Sequence, residues 1–419
     1  MGNSNKCSEE DDLNAPAWIN EDFFKRILEK SECDNVQIHN LLLSSGTAKN
    51  DHYASILFRA KLKYTLHAQP TQEKYRAFVM KTEPFVDGVK KDKMNEVPLF
   101  ETEVGVYTKV LPKIEAKLRE FGDQTILAPK LFHYSLQAPR CIVFEDLVVE
   151  GYTTINNRHC SLEEVKMALT KLAKMHAISY QMIHRDNNHD LANFNKTFVN
   201  TIDLADFPVL GNGIKLIKDV ISDQSDLQKF LPHIESVERF LIPKVIDLLN
   251  ATKNGNQSGV QVLNHGDFHV KNLMVKNDGN KLKDLMVLDY QVSIFGSPAI
   301  DLHYAFTMMY SPSMRRERMD ELLYYYIINL QETLRKVEFH GHIPTIQEIR
   351  AEMQAYRHWG LYLIFTLLYF NYALVDESIE MDKLVESETA RRAYYANPKI
   401  LDELRILLPR FLHLGYFEE

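Results

Sequence analysis

Cysteine is scarce in this 419-residue chain. The four that occur, Cys7, Cys33, Cys141 and Cys160, show no paired spacing. That argues against a disulfide framework or a sulfur-ligated zinc cluster, and it fits a reducing, cytoplasmic compartment. An excess of positive charge is missing too: 49 Lys and Arg face 57 Asp and Glu, for a formal net charge of -8 and a pI near 6.1. Without a basic stripe, nucleic acid is excluded as a partner. Any phosphate site has to be local, built from one or two cations and backbone amides. Nor is there a run long and apolar enough for a membrane span. The best candidate, "WGLYLIFTLLYFNYALV" at 359–375, is short, dense in aromatics and carries Asn371, and it predicts a buried helix. The start, "MGNSNKCSEEDD", lacks the apolar core of a secretory signal. Gly2 and Cys7 evoke acylation, but Lys6 stands where that motif takes Ser or Thr, so a polar leader is expected. Internal repeats and low-complexity tracts are absent as well.

What is present is ordinary globular material, 45% hydrophobic and 25% charged, in a chain too long for one simple core. Two lobes are expected. Over residues 53–66, Phe58, Ala60, Leu62, Tyr64 and Leu66 face one way and Arg59, Lys61, Lys63 and Thr65 the other, the period of a half-buried strand. "HAQPTQEK" reads as a turn and "YRAFVMK" as the partner strand. A Lys- and Asp-rich loop at 83–96 leads to Pro98 in the first-turn position of a helix. On that helix Phe100, Val104, Tyr107 and Leu111 form an apolar stripe, and Glu103 lies within it. A buried carboxylate needs a cation. The nearest is Lys81, at the end of "AFVMK"; the alternative is that Glu103 edges the stripe into solvent.

"KLFHYSL" and "CIVFEDL" add strands, and beyond Gly151 helices take over. Ser161 and Glu164 have capping-box spacing around a helix with Leu162, Val165, Leu169, Leu172 and Met175 at core positions. His176 beside them reads as a satisfied core histidine. Further helices are expected at 232–249, 313–337, 345–375 and 398–414, with Pro243 and Pro409 as points of kinking or division. These shifts set the expected boundaries: a leader and first helix at 1–35, a strand-rich lobe at 36–147, and a helical lobe at 148–419.

Residues 264–291, "NHGDFHVKNLMVKNDGNKLKDLMVLDYQ", carry the chemistry. "NLMV" and "LKDLMVLD" are short apolar runs around Asp278-Gly279, a turn signal. Folded as a hairpin, they bring Asn272 at the start of the first strand toward Asp289 at the end of the second. Asp267 lies five residues before Asn272 on the entering loop. Oxygen donors converging in this way suit magnesium, which takes one or two protein oxygens and leaves other positions to phosphate and water. D-x4-N with a downstream Asp is the spacing used for phosphoryl transfer in protein kinases. One carboxylate stays free to face the nucleophile while the other donors neutralise developing charge. His265 and His269 beside Asp267 lack the helical spacing or sulfur partners of a zinc site. A merely solvated loop leaves the agreement among separate segments unexplained. Lys81, set by Glu103, then becomes the ammonium that clamps nucleotide phosphates. Backbone at Glu145 and Leu147 is expected to pair with adenine as the hinge. "SSGTAKNDHYAS", with Gly46 and Thr47, is expected to approach the phosphates through small residues and hydroxyls.

The segments "GTAKNDHYAS", "FVMKTEP", "FETEVGVYTKVLP", "VFEDLVVEGY", "LAKMHA", "NHGDFHVKNLMV" and "VLDYQVSIFGSPAIDLHY" together resemble the ecdysteroid kinase-like (CHK kinase-like) family, related to choline and aminoglycoside phosphotransferases. The resemblance runs from Ile38 to the helices after Asp301. It implies an α+β, bilobal, protein-kinase-like fold with a β-rich N-terminal lobe and a mostly helical C-terminal lobe. It implies ATP and Mg2+ as cofactors, Asp267 as catalytic base, and Asn272 and Asp289 as metal ligands. Lys81 would bind phosphates with Glu103 as its partner, and His265 and Asp301 would support the catalytic loop. "HGD", and "DYQ" in place of "DFG", point to small-molecule substrates. The chain departs from the pattern in the phosphate loop, where Asn50 and His52 stand in place of a second glycine and Asn. Asn tolerates positive φ, which keeps the loop geometry accessible.

The implied activity is transfer of the γ-phosphate to a hydroxyl of an ecdysteroid or other steroid-like or xenobiotic alcohol. The alternatives are a choline- or aminoglycoside-type kinase and a non-catalytic ligand binder with this fold. Substrate choice is assigned to the helical lobe, around 187–213. The aromatics Tyr324, Tyr325, Tyr326, Trp359, Tyr362, Phe365, Tyr369 and Phe370 either line a pocket there or, as expected of most, pack the core.

Overall fold

The computed structural model describes residues 15–46, 55–83, 96–186, 189–251, 254, 259–376 and 378–419. The polar leader, Thr47 with the loop through residue 54, most of the Lys- and Asp-rich loop, and Asn187 lie outside the described residues. Helix α1 (Glu21–Glu32) opens on Asn20, whose side chain accepts the Phe23 amide. Five antiparallel strands follow: β1 (Val36–Ser45), β2 (Ile56–Leu66), β3 (Gln69–Thr82), β4 (Leu131–Ser135) and β5 (Cys141–Glu145), in the order β1-β2-β3-β5-β4. Phe58, Ala60, Leu62, Tyr64 and Leu66 are buried as their alternation predicts, packed with Phe24, Ile27 and Leu28 of α1. The turn after β2 is only His67-Ala68, between the paired Leu66 and Gln69, so most of "HAQPTQEK" is strand. Its residues are largely exposed on both faces, and no hydrophobic period marks them.

Glu32 fastens α1 to this sheet, accepting from Tyr64 Oη at 2.8 Å, Lys74 Nζ at 2.8 Å and Arg76 Nη2 at 3.1 Å. Burial works to raise its pKa, but the bonds from Lys74, Tyr64 and Arg76 win and lower it to about 2. A carboxyl depressed in the fold contributes stability that is complete above its ordinary value of 4.5 and lost as pH falls toward 2. Melting curves across that window are expected to show wild type losing on the order of 2 kcal/mol more than Glu32→Gln. Parallel curves would remove Glu32 from the account of acid stability.

On the other face lie α2 (Leu99–Gly105), a single π turn (Val106–Val110) and α3 (Leu111–Glu120). Pro98 is the residue before α2, not part of its first turn. Phe100, Val104, Tyr107 and Leu111 are buried, and so is Glu103. Alternation divides β5 between the two cores: Cys141 and Val143 join α1, Ile142 and Phe144 join the helices.

After β6 (Tyr152–Thr154) comes α4 (Leu162–Asp186), opened by the expected capping box. The Ser161 amide donates to Glu164 Oε2 at 2.7 Å and the Glu164 amide to Ser161 Oγ at 3.2 Å. Lys171 and Lys174 of α4 hold the segment after α3, through the Ile126 carbonyl at 2.7 Å and Asp123 at 2.8 Å. The helix expected at 232–249 is two, α5 (Leu231–Glu238) and α6 (Leu241–Asn250). The break falls at Arg239-Phe240; Pro243 sits in the first turn of α6, where a missing amide is tolerated.

Strands β7 (Val262–Asn264), β8 (Leu273–Asp278), β9 (Lys281–Val287) and β10 (Ile294–Gly296) form two small sheets, β10-β7 and β6-β8-β9. Then follow α7 (Ala299–Met308), α8 (Pro312–Glu317), α9 (Met319–Lys336), α10 (Ile346–Ala355), α11 (Arg357–Ala373) and α12 (Pro398–His413). The helices expected at 313–337 and 345–375 are each divided, at Arg318 and Tyr356. Neither break contains Pro or Gly, so the apolar period ran through both. Conversely, α12 runs unbroken through Pro409, with Leu401, Leu404, Leu408 and Phe411 buried along it. Trp359, Tyr362, Phe365, Tyr369 and Phe370 of α11 are core, as is Tyr326, while Tyr324 is exposed. Among the described residues no helix is long and apolar enough to cross a membrane.

Candidate active site

The hairpin of β8 and β9 closes through Gly279-Asn280, with Asp278 paired to Lys281. At its open end Leu273 pairs with Val287, and the Leu288 amide donates to the Asn272 carbonyl at 2.9 Å. Asn272 and Asp289 therefore leave the hairpin side by side. Asn272 is not in the strand; it is the last residue of a 3-10 turn, Val270–Asn272.

Asp289 has φ +65, in the left-handed region that Asp visits more readily than most residues. Its Oδ1 lies 2.6 Å from Lys81 Nζ, and its Oδ2 accepts Gln291 Nε2 at 3.0 Å. Strand period explains why Lys81 is there: Phe78 and Met80 face α1, so Lys81 faces α2. There it donates to Glu103 Oε2 at 2.6 Å. Lys81 is 5% exposed and Glu103 1%, so the alternative of Glu103 at a solvent edge is excluded. Burial opposes the charge on Lys81, but Asp289 and Glu103 overcome it and hold the ammonium above its ordinary value. Burial pushes Glu103 up to about 7, with Lys81 pulling the other way.

The loop carrying Asp267 hangs on Asp301. This fully buried carboxylate accepts the His265 amide at 2.6 Å and the Gly266 amide at 2.8 Å. It also meets His176 Nε2 at 3.2 Å, whose Nδ1 contacts Tyr326 Oη at 2.7 Å; His176 is the satisfied core histidine expected. Gly266 has φ +85, and a Cβ there would stand 2.1 Å from the Val292 carbonyl, so only glycine fits. His265 Nδ1 accepts the Asp267 amide at 3.2 Å, which puts its hydrogen on Nε2, donating to the Leu288 carbonyl at 2.8 Å.

Asp267 itself is half-buried and heavily bonded. Tyr304 Oη donates to its Oδ1 at 2.5 Å, and His269 Nε2 lies 3.3 Å from the same oxygen. Asn272 Nδ2 donates to the Asp267 carbonyl at 2.9 Å and to Oδ2 at 3.1 Å. Burial would raise the carboxyl, yet His269 and Tyr304 hold it well below the carboxylate range. Burial lowers His269, and Asp267 more than reverses that. Sequence patterns single out neither Tyr304 nor Gln291. Tyr304 stands one helical turn beyond Asp301 on α7, and that spacing is the signal that points to it.

The Gly46 amide donates to the Leu57 carbonyl at 2.7 Å, and a Cβ on Gly46 would come within 2.9 Å of Leu57 Cβ. The Glu145 carboxylate accepts the Lys130 amide at 2.6 Å. Leu147 is buried in a small apolar cluster with Tyr152, Met274 and Met286, flanked by Leu288. With Nδ2 of Asn272 turned to Asp267, its Oδ1 is the atom of that side chain left to act as a donor to a metal. Gln291 Oε1 is buried with no partner among the described residues. These are hard oxygens, the donor chemistry magnesium takes. Among the described residues no group of three or more His, Cys, Asp or Glu is set to hold a metal ion.

A strand-rich lobe over a helical one, joined through a buried lysine, is the architecture of the kinase-like phosphotransferases, and this chain is of that class. It belongs to the ecdysteroid kinase-like family, whose profile matches residues 49–339. No curated protein matches the chain. Among solved structures it is similar to a Plasmodium vivax ethanolamine kinase at 14% identity, over 89% of this chain and 83% of that one, with a TM-score of 0.39. It is also similar to a candidate aminoglycoside phosphotransferase from Ralstonia eutropha at 12% identity, over 93% and 98% of the two chains, with a TM-score of 0.44.

Proposed function

We propose that the protein transfers the γ-phosphate of ATP to a hydroxyl of a small molecule, an ecdysteroid or other steroid-like or xenobiotic alcohol, in the cytoplasm. The observation that carries this reading is Lys81, held at 2.6 Å from both Glu103 and Asp289, one from the strand-rich lobe and one from the hairpin of the helical lobe. In this reading residues 36–147 are the nucleotide lobe and 148–419 the catalytic lobe, after a leader and first helix at 1–35. The acceptor class is taken from the family.

Adenine is assigned to the hinge. The Glu145 amide points to Lys130 and the Asp146 amide to Ala77, so alternation turns Glu145 and Leu147 toward the same edge. The Leu147 carbonyl is already taken by the Glu150 and Tyr152 amides. That leaves the Glu145 carbonyl and the Leu147 amide as acceptor and donor for the base, with the Leu147–Met274–Met286 cluster as its apolar floor. Gly46 and Thr47 are assigned to the phosphate loop. Asn272 and Asp289 would hold magnesium, which when bound neutralises charge on the phosphates. Asp267 orients the acceptor hydroxyl and takes its hydrogen. The acceptor oxygen bonds to the γ-phosphorus as the bond to the β–γ bridging oxygen breaks, and ADP leaves with that electron pair.

The test is mass spectrometry of purified protein incubated with MgATP and a panel of ecdysteroids, other sterols, plant-derived alcohols, choline and aminoglycosides. A steroid-like phosphate product, absent with Asp267→Asn protein, is the expected result. A product only from choline or an aminoglycoside moves the acceptor class. Ligand-induced thermal stabilisation with no MgATP binding makes the protein a binder.

Lys81→Met is expected to raise the MgATP dissociation constant about tenfold or more, the loss of a charge-assisted contact. Burial already pushes Glu103 up, so loss of the neighbouring cation favours its neutral form, and the double variant removes that charge outright. Calorimetry on Lys81→Met and on Lys81→Met with Glu103→Gln checks this; unchanged affinity in both would remove Lys81 from the phosphate site.

A further inference from the structure

Four groups crowd Asp267: Tyr304 from α7, His269 and Asn272 from its own loop, and His265 behind it, with Lys271 and Asp289 the other charges facing His269. Their arrangement is asymmetric. The Lys271 amide donates to His269 Nδ1 at 3.2 Å, so that nitrogen is an acceptor and the ring hydrogen lies on Nε2. Nε2 in turn faces Asp267 Oδ1 at 3.3 Å, the same oxygen that takes the Tyr304 hydroxyl at 2.5 Å. A carboxylate oxygen offers two lone-pair directions. Oδ1 takes the Tyr304 hydroxyl and has the His269 ring nitrogen against it as well. On Oδ2 one is engaged, by Asn272 Nδ2 at 3.1 Å, and one is left.

We infer that Tyr304 and His269 are positioning residues that anchor Oδ1 of Asp267 and thereby reserve Oδ2 for the hydroxyl of the phosphate acceptor. The inference rests on the phosphotransfer reading above and adds to it which oxygen acts and what aims it. Tyr304 is well placed for the task because α7 grips the loop twice. Asp301 holds the His265 and Gly266 amides, and one turn later Tyr304 holds the side chain that follows them. The Tyr304 and His269 rings also lie against each other, with centroids 6.4 Å apart, so each limits the other's rotamer.

The test needs no identified alcohol, since water serves as acceptor: ADP release from MgATP is measured with calorimetric MgATP affinity for each variant. Tyr304→Phe and His269→Leu are expected to lower kcat about tenfold, the loss of one contact to a charged group in each case, with MgATP affinity within about twofold of wild type. His269→Gln, which keeps a neutral N–H donor, is expected to recover most of that loss. In an Asp267→Asn background Tyr304→Phe is expected to change kcat no further, because the group it aims is gone. Wild-type kcat in both Tyr304→Phe and His269→Leu overturns the inference, as does a full additional tenfold loss in the Asp267→Asn background. The underlying reading fails by other signs: wild-type ADP release by Asp267→Asn, or a wild-type protein that neither binds nor turns over MgATP.

Discussion

Asp267→Asn protein is expected to fold and bind MgATP as wild type does, yet to transfer phosphate about 10³-fold more slowly, the scale of a lost general base. Asn preserves the shape of the side chain, so its one oxygen can still take the Tyr304 hydrogen bond and sit against the His269 ring. The amide nitrogen then falls where Oδ2 stood. It faces the Asn272 Nδ2 donor and offers the acceptor alcohol a hydrogen where a lone pair is required. Rapid-quench measurement of product formation, with calorimetry for MgATP, separates the two quantities. Turnover within about tenfold of wild type would end the assignment of Asp267 as the base.

Asp289→Asn is expected to cost about 10²- to 10³-fold in turnover, for a different reason. It removes the carboxylate that faces Lys81 at 2.6 Å and leaves Glu103 as the counter-charge at that distance among the described residues. It also converts one of the two assigned metal donors from anionic to neutral. Binding should therefore change along with rate, unlike in Asp267→Asn. Electron paramagnetic resonance with Mn2+ and a non-hydrolysable ATP analogue is expected to show weaker ion binding. Wild-type turnover with undiminished ion affinity would place the metal elsewhere.

The ion pair of Lys81 and Glu103 was legible because a lone carboxylate in an apolar helical stripe demands a cation, and the preceding strand ends in one. The hairpin was legible because Asp278-Gly279 interrupts two apolar runs. Tyr304 was not: it reaches Asp267 across 37 positions of chain, and its place one turn beyond Asp301 gains meaning only once Asp301 is seen to hold the loop. The helix breaks at Arg239-Phe240, Arg318 and Tyr356 escaped for the opposite reason. Their flanking segments keep an apolar period, and the division is made by tertiary packing without a breaker residue. Pro243 and Pro409 show the converse, breakers by type that break nothing at their positions. The first arm of β3 is exposed on both faces, and a strand with no buried side has no period to read.

The left-handed backbone at Asp289 has a consequence for how such a site can change over generations. Side chains branched at Cβ are poorly tolerated in that conformation, whereas Asp, Asn and Gly adopt it readily. The charged donor and its uncharged isostere thus share one conformational niche. A single replacement by Asn can therefore remove the charge at this position without straining the backbone that leaves the hairpin. On the phosphotransfer reading proposed above, the same backbone that admits Asp here keeps open a short route by which a descendant loses a charged metal donor and keeps its fold.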